Sequence, residues 1–342
     1  MNEADKLAPD IAPDQSGRIP DPLSNKKNRF PVPIWVAGFL LLFVVIEIMC
    51  LTRFPTDFSE YRTYMTADRK AANGETKDAI EDLFKLSAAH PKSTAIVFKT
   101  IDLSMENGYY DMAATVHDNY VTSMNLSDSD YSHMNMYAVR LESYYKTCDA
   151  IDQILKKETD AKAPENIDSN AISKSIEALL LEPGQDNAVI YYYLGLLDQS
   201  GSEDVKNYLQ KSYDLDPECF DVRVQLGVIY RSLGDYEQAK KLNQEALKKD
   251  KSDSGALRSA AIIQMLEGDL KGGLSTAQKA YEADPDGLYI RETYLIALTL
   301  NDRKEDALTI RNEMIATGDG VDTDTDQLLL GQITLEDYYV RG

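Results

Sequence analysis

The chain has 342 residues, enough for one large domain or two ordinary ones, and its apolar fraction of 43% can fill a packed core. Its formal net charge is −21, and residues 1–31 carry five acids and five bases, so the whole excess lies after residue 31. An acidic domain of this kind repels phosphate backbones, which excludes nucleic acid as the expected partner.

Residues 1–31 hold five of the twelve prolines and almost no apolar periodicity. Such a composition cannot bury a core, so a disordered tail is expected there. Residues 32–52, VPIWVAGFLLLFVVIEIMCLT, contain a single charge, Glu47. As a helix this stretch is about 31 Å long, the thickness of a bilayer core. It is therefore expected to be a transmembrane helix that contacts the lipid bilayer, with Trp35 near the headgroups. A cleavable signal peptide fits poorly, because the apolar run is long and no small-x-small site follows. Glu47 reads either as an intramembrane acid that pairs with a partner helix or as a side chain that reaches the interface. Lys26, Lys27 and Arg29 flank one end, against Arg53 close to the other. The positive-inside rule then predicts a cytoplasmic N-terminus and an extracytoplasmic C-terminal domain in the cell membrane, although Arg62, Arg69 and Lys70 narrow the difference.

Beyond the apolar stretch a period of 34 residues organises the chain. It relates Pro183, Pro217, Lys251 and Pro285, Gly234 and Gly268, Ala246 and Ala280, and Ala239, Gly273 and Ala307. The same step separates Gly74 from Gly108 and Ala79 from Ala113. The clearest copy, Phe220 to Asp253, contains Leu226-Gly227, Tyr230, the turn Gly234-Asp235-Tyr236, Ala239 and Ala246. This pattern resembles the tetratricopeptide repeat. The resemblance implies an all-α solenoid of helical hairpins, in which small residues let the two helices approach and a glycine turns the chain. A proline closes most copies and stops the second helix. Departures are Arg223 and Asn243 at aromatic positions and Lys251 at the closing proline.

The expected organisation is N-terminal repeats over 53–124, irregular helical repeats with insertions over 125–186, regular repeats over 187–317 and a capping segment over 318–342. Asn125–Asp130 and Glu158–Glu165 read as loops. In the last segment Gly331 separates two short helices, Gln327–Leu330 and Leu335–Val340, and Thr334 with Asp337 is spaced as a capping box. Asp322, Asp324 and Asp326 mimic the start of a calcium loop, but Gln327 and Ile333 stand where glycine and glutamate are required.

The sequence holds no G-x-S-x-G, P-loop, G-x-G-x-x-G or H-E-x-x-H. The three cysteines and three histidines show no ligand spacing, and a Cys148–Cys219 disulfide is not expected. No enzymatic activity, cofactor, metal or small-molecule substrate is therefore predicted. The resemblance implies instead a concave groove for other proteins or peptides, lined by the first helix of each hairpin. Carried over by position, the lining residues are Tyr64, Phe98, Tyr192, Val224, Val228, Arg231, Arg258, Ile262, Tyr289 and Glu292. A clamp for C-terminal carboxylates is not implied, because Tyr192, Val224, Gln225, Val228 and Ser259 fill its positions and only neighbouring Arg258 is basic. The expected function is a membrane-tethered protein-interaction scaffold for secretion, envelope assembly or chaperoning. The alternatives are a fixed subunit of a membrane complex and a cytosol-facing adaptor.

Overall fold

The computed structural model describes residues 34–160, 168–198, 202–318 and 320–340. The tail expected over residues 1–31 lies outside them. The chain divides into two compact units, residues 1–56 and 57–342. In the first unit the backbone of helix α1 (Ile34–Asn73) runs through the apolar stretch. The described large apolar side chains there, Leu42, Val44, Val45 and Ile48, are all exposed. The other side chains of the stretch, those of Trp35 and Glu47 among them, lie outside the described residues. Among the described residues, no helix is long and apolar enough to cross a membrane.

The second unit begins with the last part of α1 and is all-α among the described residues. Its helices follow in pairs: α2 (Thr76–Ala89) pairs with α1, then α3 (Thr94–Asn107) with α4 (Tyr110–Tyr120) and α5 (Asp128–Asp160) with α6 (Ser169–Ala178). The regular hairpins are α7 (Asn187–Leu197) with α8 (Ser202–Leu215), α9 (Phe220–Ser232) with α10 (Tyr236–Lys249), α11 (Ser254–Leu266) with α12 (Leu270–Ala283) and α13 (Ile290–Leu300) with α14 (Lys304–Thr317). Two short helices, α15 (Thr323–Leu329) and α16 (Leu335–Tyr339), end the chain.

Local chemistry explains the hairpins. Gly234 and Gly268 take φ of +80° and +87°, a left-handed conformation that ends the first helix at little cost to glycine. The aspartate that follows each one caps the second helix. Asp235 accepts from the N–H of Gln238 at 3.2 Å, and Asp269 from that of Gly272 at 2.9 Å. The helices then meet through small residues. A Cβ at Gly227 would lie 2.9 Å from Asn243 Oδ1, and one at Gly273 would lie 2.5 Å from Met265 Cγ and 3.1 Å from the Ala261 carbonyl.

The region 125–186 corrects one expectation. α5 starts at Asp128 and ends at Asp160, so it enters both segments that read as loops. Ser127 is the reason at the N-terminal end. Its Oγ accepts from the N–H of Asp130 at 3.3 Å, while Asp130 Oδ2 accepts from the N–H of Ser127 at 3.2 Å, a reciprocal cap hidden in a polar run.

The period does not reveal that the chain turns back on itself. The turns that follow α1 and α3 seat on the turns that precede α11 and α9. The carbonyl of Gly74 accepts from the N–H of Lys251 at 2.7 Å, and that of Gly108 from the N–H of Phe220 at 3.1 Å. Asp250, fully buried, accepts from the N–H of Lys77 and from the Tyr109 hydroxyl, both at 3.0 Å, through its Oδ2. One repeat earlier, Asp216 accepts from Tyr110 Oη at 3.4 Å and is ion-paired with Arg140 at 2.5 Å. Ile80, Tyr109, Phe220, Val224, Ala246 and Ala256 close over this seam as one apolar cluster, and the Tyr109 and Phe220 rings stack at 4.6 Å.

Candidate protein-binding groove

Nine of the ten residues expected to line one groove fall into three groups. Tyr64 and Phe98 lie in separate N-terminal clusters. Tyr64 packs on Ala67, Leu83 and Leu86, and Phe98 packs around Val97 and Ile101 and stacks on His133 at 5.7 Å. Tyr192 and Val224 lie beside the seam. Val224 belongs to the seam cluster, and Tyr192 packs on Leu209, Leu226 and Leu242. Val228, between them and the third group, is half-buried on α9. The third group, Arg231, Arg258, Ile262, Tyr289 and Glu292, surrounds α16.

Tyr192 also faces a cleft of ≈ 240 Å³ shared by α4, α5, α7, α8 and α9. Asp111, Arg140, Tyr144, Tyr193 and Asp221 contribute to its wall. Arg140 stands under the Tyr110 ring, 4.5 Å from its centroid, and pairs with Asp186 as well as Asp216. Burial raises the Tyr192 hydroxyl pKa, with Asp221 adding to the effect. Burial also pushes the Asp221 carboxyl up to about 6, helped by Asp111 and Asp253 and opposed by Lys77. Asp221 keeps solvent access at the mouth of this concave cleft, so water screens part of that effect. Cys148 and Cys219 are both free thiols, and burial raises them to about 11 and about 12.

The third group is built differently. α9, α11 and α13 each present a first-helix face, and the faces meet around Tyr338 and Tyr339. The Tyr338 hydroxyl donates to Glu292 Oε1 at 2.6 Å and lies 2.8 Å from Thr325 Oγ1. Tyr339 is buried; its carbonyl accepts from Arg231 Nη1 at 3.3 Å, and the guanidinium carbon is 5.7 Å from its ring centroid. Ile262 has no exposed surface and packs with both tyrosines in one cluster. Arg258 Nε donates to Thr293 Oγ1 at 2.9 Å and to the Tyr289 carbonyl at 3.2 Å, with its guanidinium 5.2 Å from the Tyr289 ring centroid. Burial draws the Arg231 pKa down to about 10, and Arg258 lowers it further while Tyr339 opposes.

Thus Arg231, Ile262 and Glu292 do not line an open groove; the chain's own last helix covers them. The physical reason is in α16 itself. Leu335, Tyr338 and Tyr339 share one helical face that must be buried. Thr334 and Asp337 form the expected reciprocal cap, at 3.0 and 2.9 Å, which fixes where that helix starts. Tyr338, Tyr339 and Thr293 are the residues that sequence reasoning missed. The i, i+3, i+4 spacing marks which side chains are buried but not what they meet. The acidic run before them has a plain role, because Asp322 caps α15 through the N–H of Thr325 at 2.6 Å and Asp326 pairs with Arg311 at 2.8 Å. Among the described residues no group of three or more His, Cys, Asp or Glu could hold a metal ion.

Residues 196–261 match the model of a tetratricopeptide repeat family. No curated protein matches the chain. Among solved structures it is similar to the MamA RS-1 ArsTM double mutant at 12% identity and a TM-score of 0.40, covering 50% of this chain and 92% of that one. A tetratricopeptide repeat protein from Parabacteroides merdae ATCC 43184 shares 14% identity over 82% of this chain and 88% of its own, with a TM-score of 0.34. The P58(IPK) TPR domain shares 16% over 87% and 88%, with a TM-score of 0.26. These loose likenesses add no functional argument; the family match covers residues 196–261, and the helical hairpins observed there are of the kind that a tetratricopeptide repeat forms.

Proposed function

We propose that this chain is a protein-interaction scaffold tethered to the cell membrane by residues 32–52, with its repeats on the extracytoplasmic side. The observation that carries the binding reading is the seat of α16. A peptide-like segment with two tyrosines lies across the first helices of three hairpins, held by Arg231, Ile262 and Glu292. A face able to hold one such segment has the chemistry to hold another. The tether is supported by an apolar stretch with one charge, by the exposure of Leu42, Val44, Val45 and Ile48, and by the Lys26, Lys27 and Arg29 flank.

Crosslinking in native membranes followed by mass spectrometry tests the scaffold role, with several substoichiometric partners expected. Burial of Val224, Arg231, Ile262 and Glu292 within the chain favours a second reading, a fixed subunit that uses the solenoid as packing surface. One constant partner set at fixed stoichiometry would establish it instead. Protease added to spheroplasts should remove the domain after residue 53. Protection until the membrane is permeabilised would reverse the topology and make the chain a cytosol-facing adaptor.

A further inference from the structure

The seat of α16 contains an arginine that the described part of its occupant leaves with an unmet donor. Arg231 is 5% exposed, and its Nε has no acceptor among the described residues. Its bond to the Tyr339 carbonyl is long at 3.3 Å, and a neutral carbonyl is a weak partner for a buried cation. Arg258 stands nearby with its charge over Tyr289, so a second cation borders the same seat. The occupant is also short. α16 has five residues, and it follows a turn at Gly331 whose left-handed backbone has open space on its Cβ side. Leu330, beside that turn, is 72% exposed.

We propose that the face formed by α9, α11 and α13 is a binding site for a partner's acidic segment with two adjacent tyrosines, and that residues 334–340 occupy it in cis until such a segment displaces them. Resting on the scaffold reading, this names the partner's chemistry. The tyrosines take the places of Tyr338 and Tyr339, one hydroxyl on Glu292 and one ring over Arg231. A carboxylate just after the second tyrosine supplies the acceptor that Arg231 Nε lacks among the described residues. Exchange needs only the short helix to leave by rotation at Gly331, while α11 and α13 stay packed on their own hairpins.

The test uses the full chain and a fluorescent peptide with the sequence of residues 330–340, read by anisotropy. The wild-type chain should bind it at least tenfold more weakly than the Tyr338→Ser/Tyr339→Ser chain, whose own segment no longer competes. The same peptide with Val340→Glu should bind that variant about tenfold more tightly again, the scale of one charge-assisted hydrogen bond. Adding Arg231→Gln to the variant chain should remove that gain. Hydrogen exchange on the wild-type chain keeps the proposal testable should the variant not fold. Saturating Val340→Glu peptide should speed exchange of amides 335–340 and leave those of α11 protected. Equal affinity of wild-type and variant chains, or unchanged exchange at 335–340, overturns the proposal. So does a dimer of the wild-type chain in light scattering that the peptide dissolves, because the site then serves exchange between copies. Failure here with variable partners still captured in membranes leaves the scaffold reading standing.

Discussion

Gly108 gives its carbonyl to the N–H of Phe220 at 3.1 Å, and so joins the turn of one early hairpin to the start of a much later one. Two facts make glycine necessary there. Its φ is +81°, and a Cβ would lie 1.9 Å from the Glu218 carbonyl oxygen.

Gly108→Ala should therefore cost about 3 kcal/mol or more, the sum of a left-handed alanine and a backbone clash. Gly268→Ala is the control, because Gly268 has φ of +87° but nothing within 4 Å of its Cβ position. Only the conformational cost of about 1–2 kcal/mol should appear there. Chemical denaturation of the two variants checks the difference, and equal losses would mean that the seam yields freely.

Lys251 stands where the repeat normally closes with proline. Its N–H donates to the Gly74 carbonyl at 2.7 Å, and a proline has no N–H to give. Lys251→Pro, which restores the family pattern, should thus destabilise the chain by about 1–3 kcal/mol through a stranded carbonyl. Lys251→Ala keeps the amide and should cost less. If the proline variant melts higher than wild type, the seam bond contributes nothing.

Gly227→Leu should lose about 1–3 kcal/mol by overpacking, since a Cβ alone already lies 2.9 Å from Asn243 Oδ1 and 3.5 Å from Leu242 Cβ. An unchanged melting temperature would show that α9 and α10 can separate without penalty.

Asp221 provides a pH signature. Its folded pKa, about 6, lies above the ordinary value of 3.8, so the folded state holds the proton more tightly. Its contribution is fully favourable below pH 3.8, is lost as pH rises to about 6, and is flat above that. Asp221→Asn should remove this decline and leave the variant more stable than wild type at pH 7. Parallel denaturation curves for both chains between pH 4 and 7 would contradict the assignment.

The turns were legible because they are local. Gly74, Gly108, Gly234 and Gly268, placed by the 34-residue period, all adopt left-handed φ. The capping box at Thr334 and Asp337 was legible for the same reason. The seam was not, because Asp216 and Asp250 look like ordinary acids at the ends of second helices, and their partners Tyr110, Arg140, Lys77 and Tyr109 belong to distant hairpins. The groove was half legible. Position within the repeat put Arg231, Ile262 and Glu292 on one face, but no periodic rule says that a tyrosine pair from outside the repeats will fill it.

The seam also bears on how such a chain can change over generations. An open array of hairpins can gain or lose whole units, since each contacts only its neighbours. Here Gly74 and Gly108 are matched to Lys251 and Phe220 in reverse order. Duplicating one hairpin between Phe220 and Lys251 would carry Asp250 a full unit beyond Lys77 and Tyr109. Repeat number between the paired turns is thus held fixed by closure. The hairpins beyond Lys251 are held by a second closure, because α16 must still reach Arg231 on α9 and Glu292 on α13. A whole repeat can therefore be added or lost within neither stretch without breaking a specific long-range contact.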